Sequence, residues 1–227
     1  MTYIISLGGS LIVPDENIDW RYLKKFRELV LAQIKNGHTF FIITGGGWTC
    51  RHYQSAASEV IKITDEDLDW LGIHSTRLNA HLLRTIFFDV AHPEIITNPH
   101  RKIKFREPVV VAAGWKPGWS TDYDAVMLAK QYRADTIINL SNINYACDKD
   151  PKKHADAKII KKINWPDFRK IVGYKWKPGL SMPFDPIASG LAEKLKLKVI
   201  IMNGKKLGNL EQCLNGGKFQ GTVIGMS

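Results

Sequence analysis

Three short apolar runs, each stopped by glycine, constrain the fold of this chain more than any other feature. "YIISL" ends at Gly8-Gly9, "TFFIIT" at Gly45-Gly46-Gly47 and "PVVVAA" at Gly114. None alternates apolar with polar residues, so none suits a strand with one wet face. Short continuous runs bounded by turn residues read as strands buried on both sides. "TIINL" (136–140) and "KVIIM" (198–202) have the same character. Helical patterns separate them. In "IDWRYLKKFRELVLAQIKNG", Trp20, Leu23, Phe26, Val30 and Ile34 fall at helical spacing, and Gly37 marks the stop. Further helices are expected after Gly47 (carrying Arg51), over 66–88, near 122–133, 165–172 and 185–195, and over 207–214, before a closing "GTVIG". Doubly buried strands alternating with helices predict an α/β fold, a three-layer sandwich with a mainly parallel central sheet covered on both faces. At 227 residues, without repeats or long linkers, the chain suits one domain over 1–227, or two closely joined lobes.

No apolar run approaches the roughly 20 residues that span a bilayer. The start "MTYIISLGGS" carries neither a basic n-region nor a small-residue cleavage site, so no signal peptide is read. Cys50, Cys147 and Cys213 are scattered without metal-ligand spacing, which fits a reduced, cytoplasmic protein and identifies no metal ligands. The net charge of +10 raises the question of polyanions. Its basic clusters, "HRKIKFRE" (100–107) and "KDPKKHADAKIIKK" (149–162), do not form a base-stacking platform. A solvated basic face, or steering of small anionic substrates, is the reading, with no dedicated nucleic-acid partner.

In an open α/β sheet, ligands bind beyond the carboxyl ends of the strands. Glycine there lets backbone N–H groups approach an anion, and a following helix adds partial positive charge. Three such loops point to a phosphate-bearing ligand. Neither G-x-x-x-x-G-K-[ST] nor G-x-G-x-x-G occurs, which argues against a P-loop enzyme and a Rossmann dehydrogenase. The densest of the loops lies in "AAGWKPGWSTDYDAVMLA" (112–129). Thr121 and Asp124 fit a capping box at the next helix. Trp115, Lys116, Trp119, Ser120 and Asp122 are left over. The two tryptophans suit a flat, anion-bearing ligand such as a nucleotide, or else pack into the core.

Seven landmarks then stand in order: "GGSL", "GGGWTCRHY", "DWLGIHSTRLNAHLL", "GWKPGWSTD", "NINYACDKDPKKHADAK", "FDPIASGLAEKL" and "GTVIG". Through them the chain resembles the amino-acid kinase superfamily, and most closely the archaeal-type uridylate (UMP) kinases, over essentially its whole length. The resemblance implies a lobe binding UMP (about 1–134) and a lobe binding ATP (about 135–227). The γ-phosphoryl group would pass directly from ATP, which carries Mg²⁺, to UMP, giving UDP for pyrimidine nucleotide biosynthesis. It implies ATP contacts at Gly9, Ser10, Gly47, Arg51, Ser141, Cys147 and Asp150. UMP contacts are implied at Gly46, Asp69, Trp115, Lys116, Pro117, Gly118, Trp119, Ser120 and Thr121. Asp122 and Arg51 are the implied catalytic residues, Asp122 organising the reacting centre and Arg51 neutralising phosphate charge. Relatives assemble as hexamers of dimers, which implies a homo-oligomer.

The chain departs from the family pattern in three places. Its first strand has no lysine, which favours the archaeal type. The adenosine loop, close to Asn-Val-Asp-Gly-Val-Tyr in the family, reads Asn142-Ile143-Asn144-Tyr145-Ala146-Cys147 here, with Tyr145 a candidate replacement for the missing ring. Trp119 stands where a histidine is common. A kinase for another small phosphate or carboxylate acceptor, and a non-catalytic nucleotide- or oxyanion-binding relative, are the alternatives. Arg77 is assigned either a helix–helix or subunit contact or a phosphate contact, and His74 and His81 are given no metal.

Overall fold

The computed structural model describes residues 1–175 and 182–225. Strand β1 (Thr2–Leu7) runs into a single helical turn, α1 (Gly9–Ile12), and then α2 (Trp20–Lys35), capped by Asp19, whose Oδ1 accepts from Tyr22 N at 2.9 Å. β2 (Thr39–Thr44) leads through the glycines into α3 (Gly47–Val60) and the long α4 (Asp65–Ile86). Thr64 caps α4, and Asp65, Glu66 and Asp67 in its first turn complement the helix dipole. β3 (Val109–Ala112) and α5 (Thr121–Tyr132) precede β4 (Thr136–Ser141). Next come β5 (Ala146–Cys147), β6 (Ile159–Ile160), β7 (Lys162–Ile163), α6 (Trp165–Val172) and α7 (Pro186–Lys194). The chain ends in β8 (Lys198–Asn203), α8 (Leu207–Leu214) and β9 (Thr222–Ile224).

Seven strands form one sheet in the order β3-β2-β1-β4-β8-β9-β7. The five expected strands are parallel to one another, with β1 registered on β2 (Ile5 against Ile42) and on β4 (Ile5 against Ile138). Every residue of β3 is buried, as are Ile4 to Leu7 of β1, and their side chains feed two cores. On one face Ile5, Phe40, Val111 and Ile138 pack against α2, α4 and α8 through Phe26, Leu83 and Leu210. On the other, Ile4, Phe41, Val110 and Ile201 pack against α5, α6 and α7 through Val126, Phe168 and Ala188. The sandwich is therefore three-layered, as expected.

"GTVIG" proves to lie one strand in from the sheet edge: β9 runs antiparallel to β8 and carries β7, the edge strand, alongside it. Beyond β4, β5 and β6 pair as an antiparallel hairpin, with Cys147 opposite Ile159. Two-residue strands leave almost no periodicity to detect. Among the described residues no helix is long and apolar enough to cross a membrane.

Candidate active site

The glycine loops after β1 and β2 are pressed backbone to backbone. A Cβ on Gly9 would lie 2.0 Å from Gly47 N and 2.6 Å from Gly45 C. Gly47 also has φ +68, a left-handed conformation that side chains other than glycine rarely adopt. Asn79 on α4 ties the second of these loops down, its Nδ2 donating to Gly45 O (2.8 Å) and Gly46 O (3.2 Å). Gly9, Ser10, Gly46 and Gly47 are thereby brought together at the carboxyl ends of two adjacent strands.

The loop after β3 is held on its backbone from two helices. From α4, Thr76 Oγ1 accepts from Gly114 N (2.9 Å), Arg77 Nη2 donates to Trp115 O (2.9 Å), and Asp69 Oδ2 accepts from Gly118 N (2.8 Å). From α5, Asp124 Oδ2 accepts from Trp115 N (3.1 Å). Asp69 and Thr76 are seven residues apart, two helical turns, so one face of α4 aligns them along the loop. The tip is a turn with Pro117 preceding Gly118, and Gly118 takes φ +85. The rings extend the loop outward. Trp115 and Trp119 stack at 6.2 Å between centroids, Trp119 meets Tyr123 at 4.1 Å, and His100 backs Trp115 at 4.6 Å. Both tryptophans are half-buried, with Lys116 Nζ 4.2 Å from the Trp115 ring centroid. They line the loop rather than join either core.

The expected capping box shifts by one residue. Ser120 is the N-cap of α5, its Oγ accepting from Tyr123 N at 3.2 Å, and Thr121 is the first helical residue. Asp124 does not cap: it is buried and turns back to the Trp115 N–H, because the loop needs an acceptor there more than the helix start does. One helical residue past Thr121, Asp122 is fixed by three donors from three elements. Ser6 Oγ of β1 (3.3 Å) and Asn139 Nδ2 of β4 (3.3 Å) donate to its Oδ1, and Asp185 N at the start of α7 (3.1 Å) donates to its Oδ2.

Electrostatically this corner is crowded with acid. Burial, and then the charge of Asp185, push the Asp122 carboxyl up to about 7, against the hydrogen bonds from Asp185 N and Ser6. Burial pushes Asp124 up to about 8, with Asp122 adding to it and the Trp115 N–H opposing it. Burial raises Asp185 as well. Asp124 Oδ1 and Asp185 Oδ2 are buried without a hydrogen-bond partner among the described residues. Asp69 is raised by burial first, with the Gly118 N–H pulling the other way.

Of the other expected positions, Ser141 lies beside the first glycine loop, where a Cβ on Gly8 would come 3.7 Å from its Cα. Ser141 closes β4, and its backbone oxygen accepts from Gly204 N (2.8 Å). Cys147 sits in the β5–β6 hairpin. Asp150 is exposed in the following turn, its Oδ1 accepting from Lys152 N (3.0 Å). Arg51 is exposed on α3 and makes no ion pair among the described residues. Tyr145 lines a separate cavity with Lys161 and Val223. Sequence reasoning missed Ser6, Asn79, Asn139 and Asp185. A signal existed for two of them: Ser6 in "IISL" and Asn139 in "TIINL" are polar residues interrupting doubly buried strands. Arg77 proves to anchor the loop.

The sequence is matched by the model of the amino acid kinase family over residues 1–203. It is 32% identical over 228 residues to uridylate kinase of Sulfurisphaera tokodaii, covering 99% of both chains. Uridylate kinase of Methanosarcina barkeri is 34% identical over 218 residues, 95% of this chain and 92% of that one. The crystal structure of uridylate kinase from Archaeoglobus fulgidus superposes with a TM-score of 0.80 at 26% identity, over 99% of this chain and all of that one (100%). UMP kinase from Bacillus anthracis shares the fold, with a TM-score of 0.78 at 20% identity over 99% of this chain and 95% of that one.

Proposed function

The chain belongs to the amino acid kinase family, and from that premise we propose that it is a UMP kinase, converting UMP and ATP to UDP and ADP in pyrimidine nucleotide synthesis. The observation that carries the proposal is the placement of Asp122. It is locked by donors from β1, β4 and α7, beside the loop 115–121, on the same strand ends that bear the packed glycine loops.

In this reading, residues 1–134 form the acceptor lobe and 135–227 the ATP lobe. Gly46, Asp69 and the loop from Trp115 to Thr121 hold UMP. The Asp69–Gly118 hydrogen bond fixes the loop's turn, and the rings of Trp115 and Trp119 offer a flat surface to a base. Gly9, Ser10 and Gly47 present backbone N–H groups to the ATP phosphates, Arg51 adds charge, and Ser141, Cys147 and Asp150 flank the adenosine. A phosphate oxygen of UMP attacks the γ-phosphorus, the bond to the β,γ-bridging oxygen breaks, and ADP leaves with that electron pair. Such in-line transfer needs positioning and charge neutralisation more than covalent chemistry. Asp122 orients these donors, and Ser6 and Asn139 orient Asp122.

Asp122, and Asp185 whose Oδ2 has no hydrogen-bond partner among the described residues, are hard oxygen donors that would hold a magnesium ion carried by ATP. Held there, the ion would supply neutralisation of phosphate charge.

The test is ADP release by the purified protein with ATP and Mg²⁺, comparing UMP, CMP, dTMP and no acceptor. UMP-dependent turnover that drops about 10²–10³-fold in Asp122→Asn is expected. Turnover with CMP or dTMP in preference to UMP would move the acceptor assignment. Folded protein that turns over none of them, while still binding ATP, would replace the kinase with a nucleotide-binding relative.

A further inference from the structure

A cavity of about 920 Å³ opens away from the Asp122 corner, against the amino-terminal ends of β1, β4 and β8 and against β9 and β7. The eight-residue α8 stops at Leu214, and the loop 216–219 and Tyr145 wall the gap beyond it. Ile200 and Val223 are buried at its floor, and Tyr3, Tyr145 and Phe219 are half-buried around it. Exposed Arg133, Lys161, Lys162, Lys198 and Lys218 surround this apolar base, against a single lining carboxylate, Asp135. None of these five cations makes an ion pair among the described residues.

Arg133 is also held in the left-handed region, φ 55 and ψ 41, at the end of α5, where glycine is the unstrained residue. Strand β4 separates this place from the catalytic corner. Thr136 lines the cavity, while Asn139, three residues on and pointing to the other face of the sheet, donates to Asp122.

Like charges converging on a partly apolar hollow repel one another unless an anion sits among them. The volume lies within the range of small-molecule sites and far exceeds a lone phosphate, and the aromatic lining offers faces for a flat ring. We infer that this cavity is a second ligand site, for a polyphosphate attached to an aromatic base, chemistry that a nucleoside triphosphate carries. The inference stands on the cavity alone and does not depend on the acceptor assigned to the Asp122 site.

Calorimetric titration of the full chain with ATP, GTP, CTP, UTP and inorganic tripolyphosphate tests it, comparing wild type with K162E/K198E and with the single loop variant K218E. At least one triphosphate is expected to bind with two equivalents per chain. The second equivalent should weaken at least tenfold in the double variant and measurably in K218E, with the first unchanged, and tripolyphosphate should bind more weakly than the best nucleotide. The inference is overturned by a single equivalent for every nucleotide that both variants leave unchanged, or by a second one indifferent to both. Tripolyphosphate equal to the best nucleotide also overturns it, as does sedimentation showing that charge reversal dissociates an assembly, which would make the face an interface between copies. Loss of turnover in Asp122→Asn leaves this titration untouched, so the two proposals fail separately.

Discussion

In the proposed function Asp122 is the residue on which the chemistry turns, and its titration is the sharpest handle on it. A carboxyl whose pKa is higher folded than unfolded binds more protons in the folded state across the interval between the two values. Folding stability therefore falls as pH rises through that window, here from about 4, the usual carboxylate range, to about 7 for Asp122. The thermal midpoint of the free protein is expected to decline between pH 5 and 8. In Asp122→Asn the decline should be shallower by at most one proton's worth, about 1.4 kcal/mol per pH unit. An equally steep decline in the variant would show that Asp122 does not titrate there. If the ionised form orients the phosphate donors, as proposed, kcat/KM for the acceptor should rise with pH through about 7, reporting the free enzyme, and that limb should vanish in the variant. In the same reading Asp69 acts one step away, through the Gly118 N–H from which it accepts at 2.8 Å. Asp69→Ala is expected to raise KM for UMP roughly tenfold while sparing kcat, since a hydrogen bond to a partly exposed charged group contributes on the order of 1.5 kcal/mol. A fall in kcat with KM unchanged would place Asp69 in the chemistry instead.

Helices and loops show why a site can be read only partly from sequence. The glycines of "LGGSL" and "TGGGWT" announced a backbone approach, yet not that the two loops approach each other. Gly9→Ala would set a Cβ against Gly47 N, backbone that has no soft side chain to yield. Denaturant unfolding is expected to show a loss of about 1–3 kcal/mol, with a larger fractional loss of activity. Stability and activity both unchanged would mean that the two loops part freely. The cap of α5 teaches the same lesson. Locally, Ser120, Thr121 and Asp124 all suit a helix start, and only the demand of Trp115 N for an acceptor decides that Asp124 leaves it and Ser120 stays. Asp185 went unread because its cap of α7 is local whereas its N–H bond to Asp122 spans 63 residues.

At the scale of the whole molecule, a single sheet carries both cores, and β4 is its hub. It pairs with β1 and β8, and its residues face α8 on one side and α7 on the other. Ile138, fully buried on the α8 face, should cost about 2–5 kcal/mol when truncated to Ala, measured as one cooperative transition by two spectroscopic probes. Two separate transitions would mean that the proposed lobes unfold independently. The sequence determined the layered α/β architecture, the five parallel strands and the glycine loops at their carboxyl ends, because doubly buried strands and glycine stops are local signals repeated along the chain. The polar interruptions Ser6 and Asn139 were also legible, though their purpose was not. Only the tertiary structure decided that they converge on Asp122, that Asp69, Thr76 and Arg77 grip one loop, and that β9 turns back to leave a basic cavity beneath it. Those outcomes depend on contacts between residues distant in the chain, and spacing along a sequence carries no record of such contacts.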